Sequence, residues 1–284
     1  MNTDVMKAIP VGELKQLQID ILRHVAAFCK ERNIKYFLCA GTMLGAVRHK
    51  GFIPWDDDID IMMPRADYNR FLSEFPKEGR YAVANNDFDP FFPFPYSAVN
   101  DTRTIKVELK LRKKCTATLG VNVDVFPVDT VPDTWEEVAA VYRKLSLRWD
   151  LLRCAVDRFS KGKTWISTIY RNIGIAVYRL LEALGILSVR KMVRYYRSVS
   201  EAADGKVSSK AGVTAIYHYG PRESHDAFVY GDSAEYIFEG EPYSGVLHYH
   251  EYLSRLYGDS YMELPPPEMR VTHHTSDCYW KSHE

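Results

Sequence analysis

Residues 51–62 read Gly-Phe-Ile-Pro-Trp-Asp-Asp-Asp-Ile-Asp-Ile-Met and place four aspartates within five positions. Two bare carboxylates a few ångströms apart repel by roughly 3 kcal/mol at an effective dielectric of about 20. Something cationic should compensate, and a divalent metal is the simplest candidate. Asp58, Ile59, Asp60 and Ile61 alternate polar and apolar, which predicts a strand over 57–62. Alternate side chains on a strand share a face. Asp58 and Asp60 then point one way, with Asp56 on the same parity, while Ile59 and Ile61 enter the core. Asp57 points away and should tolerate replacement.

Upstream, Leu14, Leu17, Ile21, Val25 and Phe28 recur at helical spacing, predicting a helix over 11–31 with Asn33 as its stop. Tyr36–Ala40 is a short apolar run, read as a buried strand. Gly41-Thr42 is a turn, with Thr42 as N-cap of a short helix through Arg48. The free amides at such a helix start seat a phosphate, and Gly41 lets the backbone approach it. Gly51–Pro54 is a turn. Downstream, Pro64 suits the first turn of a helix whose apolar face is Tyr68, Phe71, Leu72 and Phe75. Three extended segments follow, at 81–84, 104–111 and 121–126, and the proline-rich 88–96 is a loop. Asp124 stands among apolar strand residues and needs a reason to be there. A metal-ligand or general-base role supplies one, against an edge cap or salt bridge. Asp129 is expected to end that strand as a turn residue.

Residues 134–203 are mostly helical, broken near 160–163 and 185. Short strands return at Val213–Tyr217 and Tyr236–Glu239, and a last helix runs over 246–257. The expected organisation is a catalytic core in 1–133, a helical insertion or subdomain in 134–210, and a part completing the catalytic domain in 211–284.

The chain has 284 residues, 46% of them hydrophobic, enough for a well-buried core. Its net charge of zero argues against a broad nucleic-acid footprint. Five scattered cysteines without a C-x-x-C pair argue against a disulfide scaffold or zinc ribbon and fit a reducing cytoplasm. No apolar leader opens the sequence. Residues 164–187 are strongly apolar, but Arg171, Asn172, Arg179 and Glu182 interrupt them, so they do not read as a membrane span. The first reading is a buried or half-buried helix. The second is a helix lying on a membrane surface, because Trp165, Tyr170 and Tyr178 sit among basic residues.

The Gly-Thr turn beside paired acids suits a metal-bound phosphate ester, with Mg²⁺ or Mn²⁺ held by hard oxygens. Four other readings use the same acids. An EF-hand fails, because Ile61 and Asp67 stand where Gly and Glu belong. Asp56, Asp57 and Asp60 match the D-D-x-x-D of prenyl transferases, but that motif lies on a helix. An Asp-x-Asp glycosyltransferase and a solvated acidic turn remain open. Arg48, His49 and Lys50 either neutralise phosphate or form a surface cluster at a helix C-terminus. Trp55 and the aromatic residues of the 88–96 loop are core packing or faces for a cation.

Gly41-Thr42-Met43-Leu44-Gly45-Ala46-Val47-Arg48-His49, then Gly51-Phe52-Ile53-Pro54-Trp55-Asp56-Asp57-Asp58-Ile59-Asp60-Ile61, resembles the signature of the LicD (fukutin-related) family, without a gap to about Leu72. Val123-Asp124-Val125-Phe126-Pro127-Val128-Asp129 and the stretch from Leu256 to His273 resemble its later landmarks. The resemblance implies an α/β (α+β) fold, a nucleotidyltransferase-like mixed sheet flanked by helices, here with a helical insertion. It implies metal binding by Asp58 and Asp60, with Asp124 as third carboxylate, and donor contacts from Gly41, Thr42, Arg48, His49, Lys50, Trp55, Arg270 and His273. It also implies transfer of phosphocholine from CDP-choline to a sugar hydroxyl of teichoic acid or lipopolysaccharide, releasing CMP. The alternatives are another phospho-alcohol such as phosphoribitol, or an inactive glycan-binding relative. The expected partners are therefore a nucleotide donor and a glycan or lipid-linked glycan acceptor at the inner membrane face. Many members carry a Lys where Ala98 stands, and Lys106 or Arg103 would have to replace it.

Overall fold

The computed structural model describes residues 6–161, 164–203, 205–216, 218–271 and 276–281. His273 lies outside the described residues. Helix α1 (Val11–Arg32) buries Leu14, Leu17, Ile21, Val25 and Cys29, and Asn33 ends it at φ 51°. Asn is one of the few side chains that accept this left-handed cap. Then come β1 (Phe37–Leu38), α2 (Ala40–Arg48), β2 (Asp60–Pro64), α3 (Arg65–Glu74), β3 (Tyr81–Ala84), β4 (Ser97–Asp101), β5 (Thr104–Glu108), α4 (Lys113–Thr116) and β6 (Asn122–Val131). Three helices follow, α5 (Trp135–Val156), α6 (Trp165–Ala183) and α7 (Val189–Ser200). The chain closes with β7 (Lys210–Gly212), β8 (Ser224–Asp226), β9 (Ser233–Phe238), β10 (Glu241–Val246), α8 (Tyr249–Tyr257) and β11 (Ser276–Trp280).

The main sheet runs β3-β4-β6-β2-β1-β10-β9, and the far end of β6 carries β7 and β8. Strands β2 and β6 are parallel, as are β1 and β10, and the other neighbours are antiparallel. This mixed sheet flanked by helices agrees with the fold class expected from the sequence. Ile61, Met62 and Met63 of β2 are fully buried at its centre. Phe28 of α1 packs its ring against Phe71 and Phe75 at the end of α3, with centroids 5.9 and 4.9 Å apart. β5 leaves the main sheet and pairs with β11.

Several expectations shift. β2 begins at Asp60 rather than Asp57, because β1 pairs only Phe37 with Met62 and Leu38 with Ile61 before the chain turns into α2. Among the described residues no strand supports the ladder on that side upstream of Asp60. Helix α2 starts at Ala40, so Thr42 lies in its first turn and is not its N-cap. The extended run expected at Val213–Tyr217 lies instead at Lys210–Gly212, and Tyr217 is outside the described residues. β4 and β8 carry no alternation that sequence reading recognised. Asp129 is not a turn residue. It sits inside β6, 2% exposed, with Arg65 Nε donating to it at 2.7 Å and the Thr214 hydroxyl at 2.6 Å. An aspartate is stable within a buried strand only when its charge is paired and hydrogen-bonded.

Buried His225 on β8 lies between two partners, the Tyr230 hydroxyl at Nδ1 (2.8 Å) and the Tyr252 carbonyl at Nε2 (3.3 Å). Burial lowers its pKa from 6.5 to about 4. A depressed folded pKa contributes stability that is fully present above pH 6.5 and is lost as pH falls toward 4. Acidification from pH 7 to 5 should therefore cost about 2 kcal/mol of unfolding free energy through this residue. Denaturant unfolding at both pH values should show that difference shrinking in His225→Gln. An unchanged difference would contradict the assignment.

Candidate active site

Asp60 is the first residue of β2 and stands in register with Asp124 on the parallel strand β6. Adjacent strands lie about 4.8 Å apart, so the fold itself brings these two carboxylates together. The Asp60 backbone N–H donates to Thr42 Oγ1 at 2.8 Å. Thr42 thus ties the first turn of α2 to the acidic strand, a role for its hydroxyl that the turn reading missed. The Ala40 N–H donates to the Tyr252 hydroxyl at 3.0 Å, which anchors the same helix start to α8. At Gly41 a Cβ would lie 2.7 Å from Asp56 Oδ2, so only glycine fits while Asp56 holds this position.

Asp56, Asp58, Asp60 and Asp124 line one cavity of about 940 Å³. Asp57 faces a smaller neighbouring cavity, which Asp58 also lines. The parity read from the sequence therefore holds through residues 56–60, although only Asp60 belongs to the strand. Desolvation in the cleft, followed by the charge of Asp58, lifts the Asp56 carboxyl above its usual range. Asp60 is also raised well above that range, by desolvation and then by Asp58 and Asp124. Asp124 is raised by desolvation, and Lys106 offsets part of the shift. The cluster is under electrostatic stress and favours a proton or a cation.

Lys106 on β5 is the cation beside it. Its Nζ donates to Asn122 Oδ1 at 3.2 Å, and Asn122 Nδ2 donates to Asp124 Oδ1 at 2.6 Å. Burial works against the Lys106 charge, but Asp124 and Glu108 outweigh it and raise its pKa. Ala98 is the register partner of Asp124 on β4, so a longer basic side chain there would also face the acids. Arg103, the other replacement considered, is committed elsewhere: it binds Asp101 at 2.6 Å and stacks on Trp280.

Among the described residues, no three His, Cys, Asp or Glu side chains converge into a closed metal cage. A Mg²⁺-type ion needs less, since one or two carboxylates suffice when substrate phosphates and waters complete the shell. Asp58 and Asp60, hard-oxygen donors that both line the cavity, suit that requirement.

The cationic trio separates. Arg48 lines the cavity, but its Nη1 donates to the carbonyls of Tyr261 (2.6 Å) and Glu263 (3.0 Å), so it holds the C-terminal loop over the site. His49 and Lys50, just past the end of α2, do not line the cavity. Trp55 lines it, and the Arg270 guanidinium lies 5.8 Å over the Trp55 ring while donating to the Pro265 carbonyl.

The aromatic wall was only partly foreseen. Phe94 and Tyr96 stack at 5.0 Å, nearly parallel, and Tyr96 packs on Phe126 at 4.5 Å. Trp149 of α5 and the pair Tyr219 and Tyr257 complete it. Trp149 lies in the helical segment that carries no motif, and Tyr219 in a loop, so no local pattern could have nominated them.

Residues 33–150 match the model of the family described as LicD/FKTN/FKRP, nucleotidyltransferase domain. The chain is 28% identical over 285 residues to the lipopolysaccharide cholinephosphotransferase LicD of Haemophilus influenzae, covering 96% of this chain and 99% of that protein. An uncharacterised protein of Rickettsia typhi is 35% identical over 85 residues, 28% of this chain and 27% of that one. One from Rickettsia prowazekii is 35% identical over 88 residues, 30% of this chain and 33% of that one. The matched segment spans α2, β2, Asp124 and most of α5, and over these residues the chain is similar to the LicD/FKTN/FKRP nucleotidyltransferase domain.

Proposed function

We propose that the protein transfers phosphocholine from CDP-choline to a sugar hydroxyl of a lipopolysaccharide or related lipid-linked glycan, releasing CMP at the inner face of the cytoplasmic membrane. The observation that carries this reading is the registered pair Asp60 and Asp124 beside the N-terminus of α2, at the edge of an aromatic-walled cavity. The full-length similarity to a cholinephosphotransferase supports the choice of substrate.

In this mechanism the acceptor oxygen attacks the choline-bearing phosphorus. The bond from that phosphorus to the bridging oxygen breaks, and CMP leaves with the electron pair. Asp124, whose raised pKa suits a proton acceptor, takes the hydroxyl proton. Asp58 and Asp60 would hold Mg²⁺ or Mn²⁺, which when bound would neutralise charge on the diphosphate. Ala40 and Met43 have protein partners for their amides, which leaves Gly41 and Thr42 to meet a phosphate oxygen. Lys106 steadies Asp124 through Asn122. The quaternary ammonium suits the faces of Trp149, Phe94 and Tyr96, by cation–π attraction in a cleft that already favours positive charge.

Purified protein given CDP-choline, Mg²⁺ and lipopolysaccharide should release CMP, and chelation should stop it. CDP-ribitol should be a poor donor. Failure to release CMP from CDP-choline while another nucleotide donor is consumed would overturn the substrate assignment.

Asp60→Asn should lower turnover at least 100-fold. It should also raise the melting temperature of the ligand-free protein by a few degrees, because it removes a buried repulsion of roughly 3 kcal/mol. Turnover equal to the parent protein would sink the role of Asp60. A lower melting temperature would sink the account of strain.

Gly41→Ala drives a methyl into Asp56 and should raise KM for the donor about tenfold, with kcat less affected. Steady-state kinetics with varied CDP-choline tests this, and an unchanged KM would contradict a diphosphate seat at α2.

A further inference from the structure

Helix α6 turns Arg179 and Glu182 inward. Glu182 accepts from Arg112 at 2.7 Å and Lys114 at 2.9 Å, and Arg179 donates to the Asp157 carbonyl at 3.1 Å. Gly174 faces α5 so closely that a Cβ would lie 2.9 Å from Cys154 Sγ. Of the helix's apolar residues only Ile175 and Tyr178 are buried. The opposite face carries Trp165 (73% exposed), Ile169 (49%), Tyr170 (74%), Ile173 (54%), Val177 (51%) and Leu180 (61%). Their spacings of three and four make one stripe over about four turns, with no charge in it. Leu147 and Leu151 of α5, two turns and one turn before Cys154, are 68% and 48% exposed as well. Of the two forms of the first reading of this segment, the helix is half-buried: its inner side packs, and its apolar outer side stands open. Soluble monomers rarely leave so long an apolar strip uncovered.

Charge indicates what covers it. Residues 143–197 contain thirteen Lys and Arg against three Asp and Glu, while the whole chain has 37 of each. The strip therefore lies in a strongly basic region, with exposed Lys161 before the helix and Lys191 and Arg194 beyond it. A second copy would face the same positive field and be repelled. An apolar face with Trp and Tyr, set among basic residues, suits the headgroup boundary of an anionic bilayer. None of the described helices is long and apolar enough to cross a membrane, so the contact would be with its surface. We propose that α6 lies in the surface of an anionic lipid bilayer and docks the protein there. This does not depend on which group the active site transfers.

The test is co-sedimentation of the full chain with vesicles of pure phosphatidylcholine or of phosphatidylcholine with 30–40% (about one third) phosphatidylglycerol. Binding should be at least tenfold tighter to the anionic vesicles, with the Trp165 fluorescence shifting to the blue. The double substitution Ile169→Glu with Ile173→Glu, both on the exposed strip, should lower binding at least tenfold while leaving far-UV circular dichroism, melting temperature and turnover on a soluble acceptor unchanged. Absence of wild-type binding to anionic vesicles would overturn the proposal, with no variant needed. So would equal binding by the double variant. A concentration-dependent dimer in sedimentation velocity, abolished by the same substitutions and without vesicle binding, would assign the strip to self-association instead.

Discussion

Two carboxylates on adjacent strands of a sheet cannot move apart without breaking the ladder, and this fixes the character of the molecule. Asp60 and Asp124 are held by the β2–β6 register, and Asp56 and Asp58 face the same cavity. Their repulsion is answered only in part, by Lys106 acting through Asn122. A fold that meant these acids only for stability would pair each with an arginine, as it does at Asp129 with Arg65. The two aspartates on the same strand β6 differ in their surroundings. Asp129 is closed off and fully paired, whereas Asp124 opens onto the cavity and stays underpaired.

The surrounding elements serve this constraint. Thr42 links α2 to β2, and Tyr252 fixes the start of α2 from α8, so the helix start is held from both sides. The small β5–β11 sheet exists apart from the main one and carries Lys106 to the acids. Arg48 gives up its charge to two carbonyls of the loop after α8, which keeps Tyr261 against the cavity. A basic residue in a signature motif here ties down the loop after α8 through its Nη1.

What the sequence could reveal follows from how local each feature is. The period of α1, the stop at Asn33, the Tyr81–Ala84 strand and the parity of Asp56, Asp58 and Asp60 depend on neighbouring residues, and all were readable. The LicD-like signature was readable for the same reason, being one unbroken stretch. Features set by distant partners were not. Asp129 resembled a turn residue because Arg65 and Thr214 are remote in sequence. The short β4 gains its strand character from pairing with β3 and β6, not from alternation. Trp149 of α5 lines the cavity although it lies far in sequence from the acids.

Helix α5 connects the two halves of the molecule. On one side Trp149 lines the cavity, and on another Cys154 receives Gly174 of α6. The composition of α6 alone, apolar with scattered charges, fits a helix buried on all sides as well as one lying at an interface. The direction of its charges decides between them. Arg179 and Glu182 face inward to polar partners, so the apolar residues have nowhere to go but out. An inward-facing apolar stripe would have released these charges to solvent at no cost. That the chain instead satisfies them inside, at Arg112, Lys114 and Asp157, means the outer face was free to become apolar.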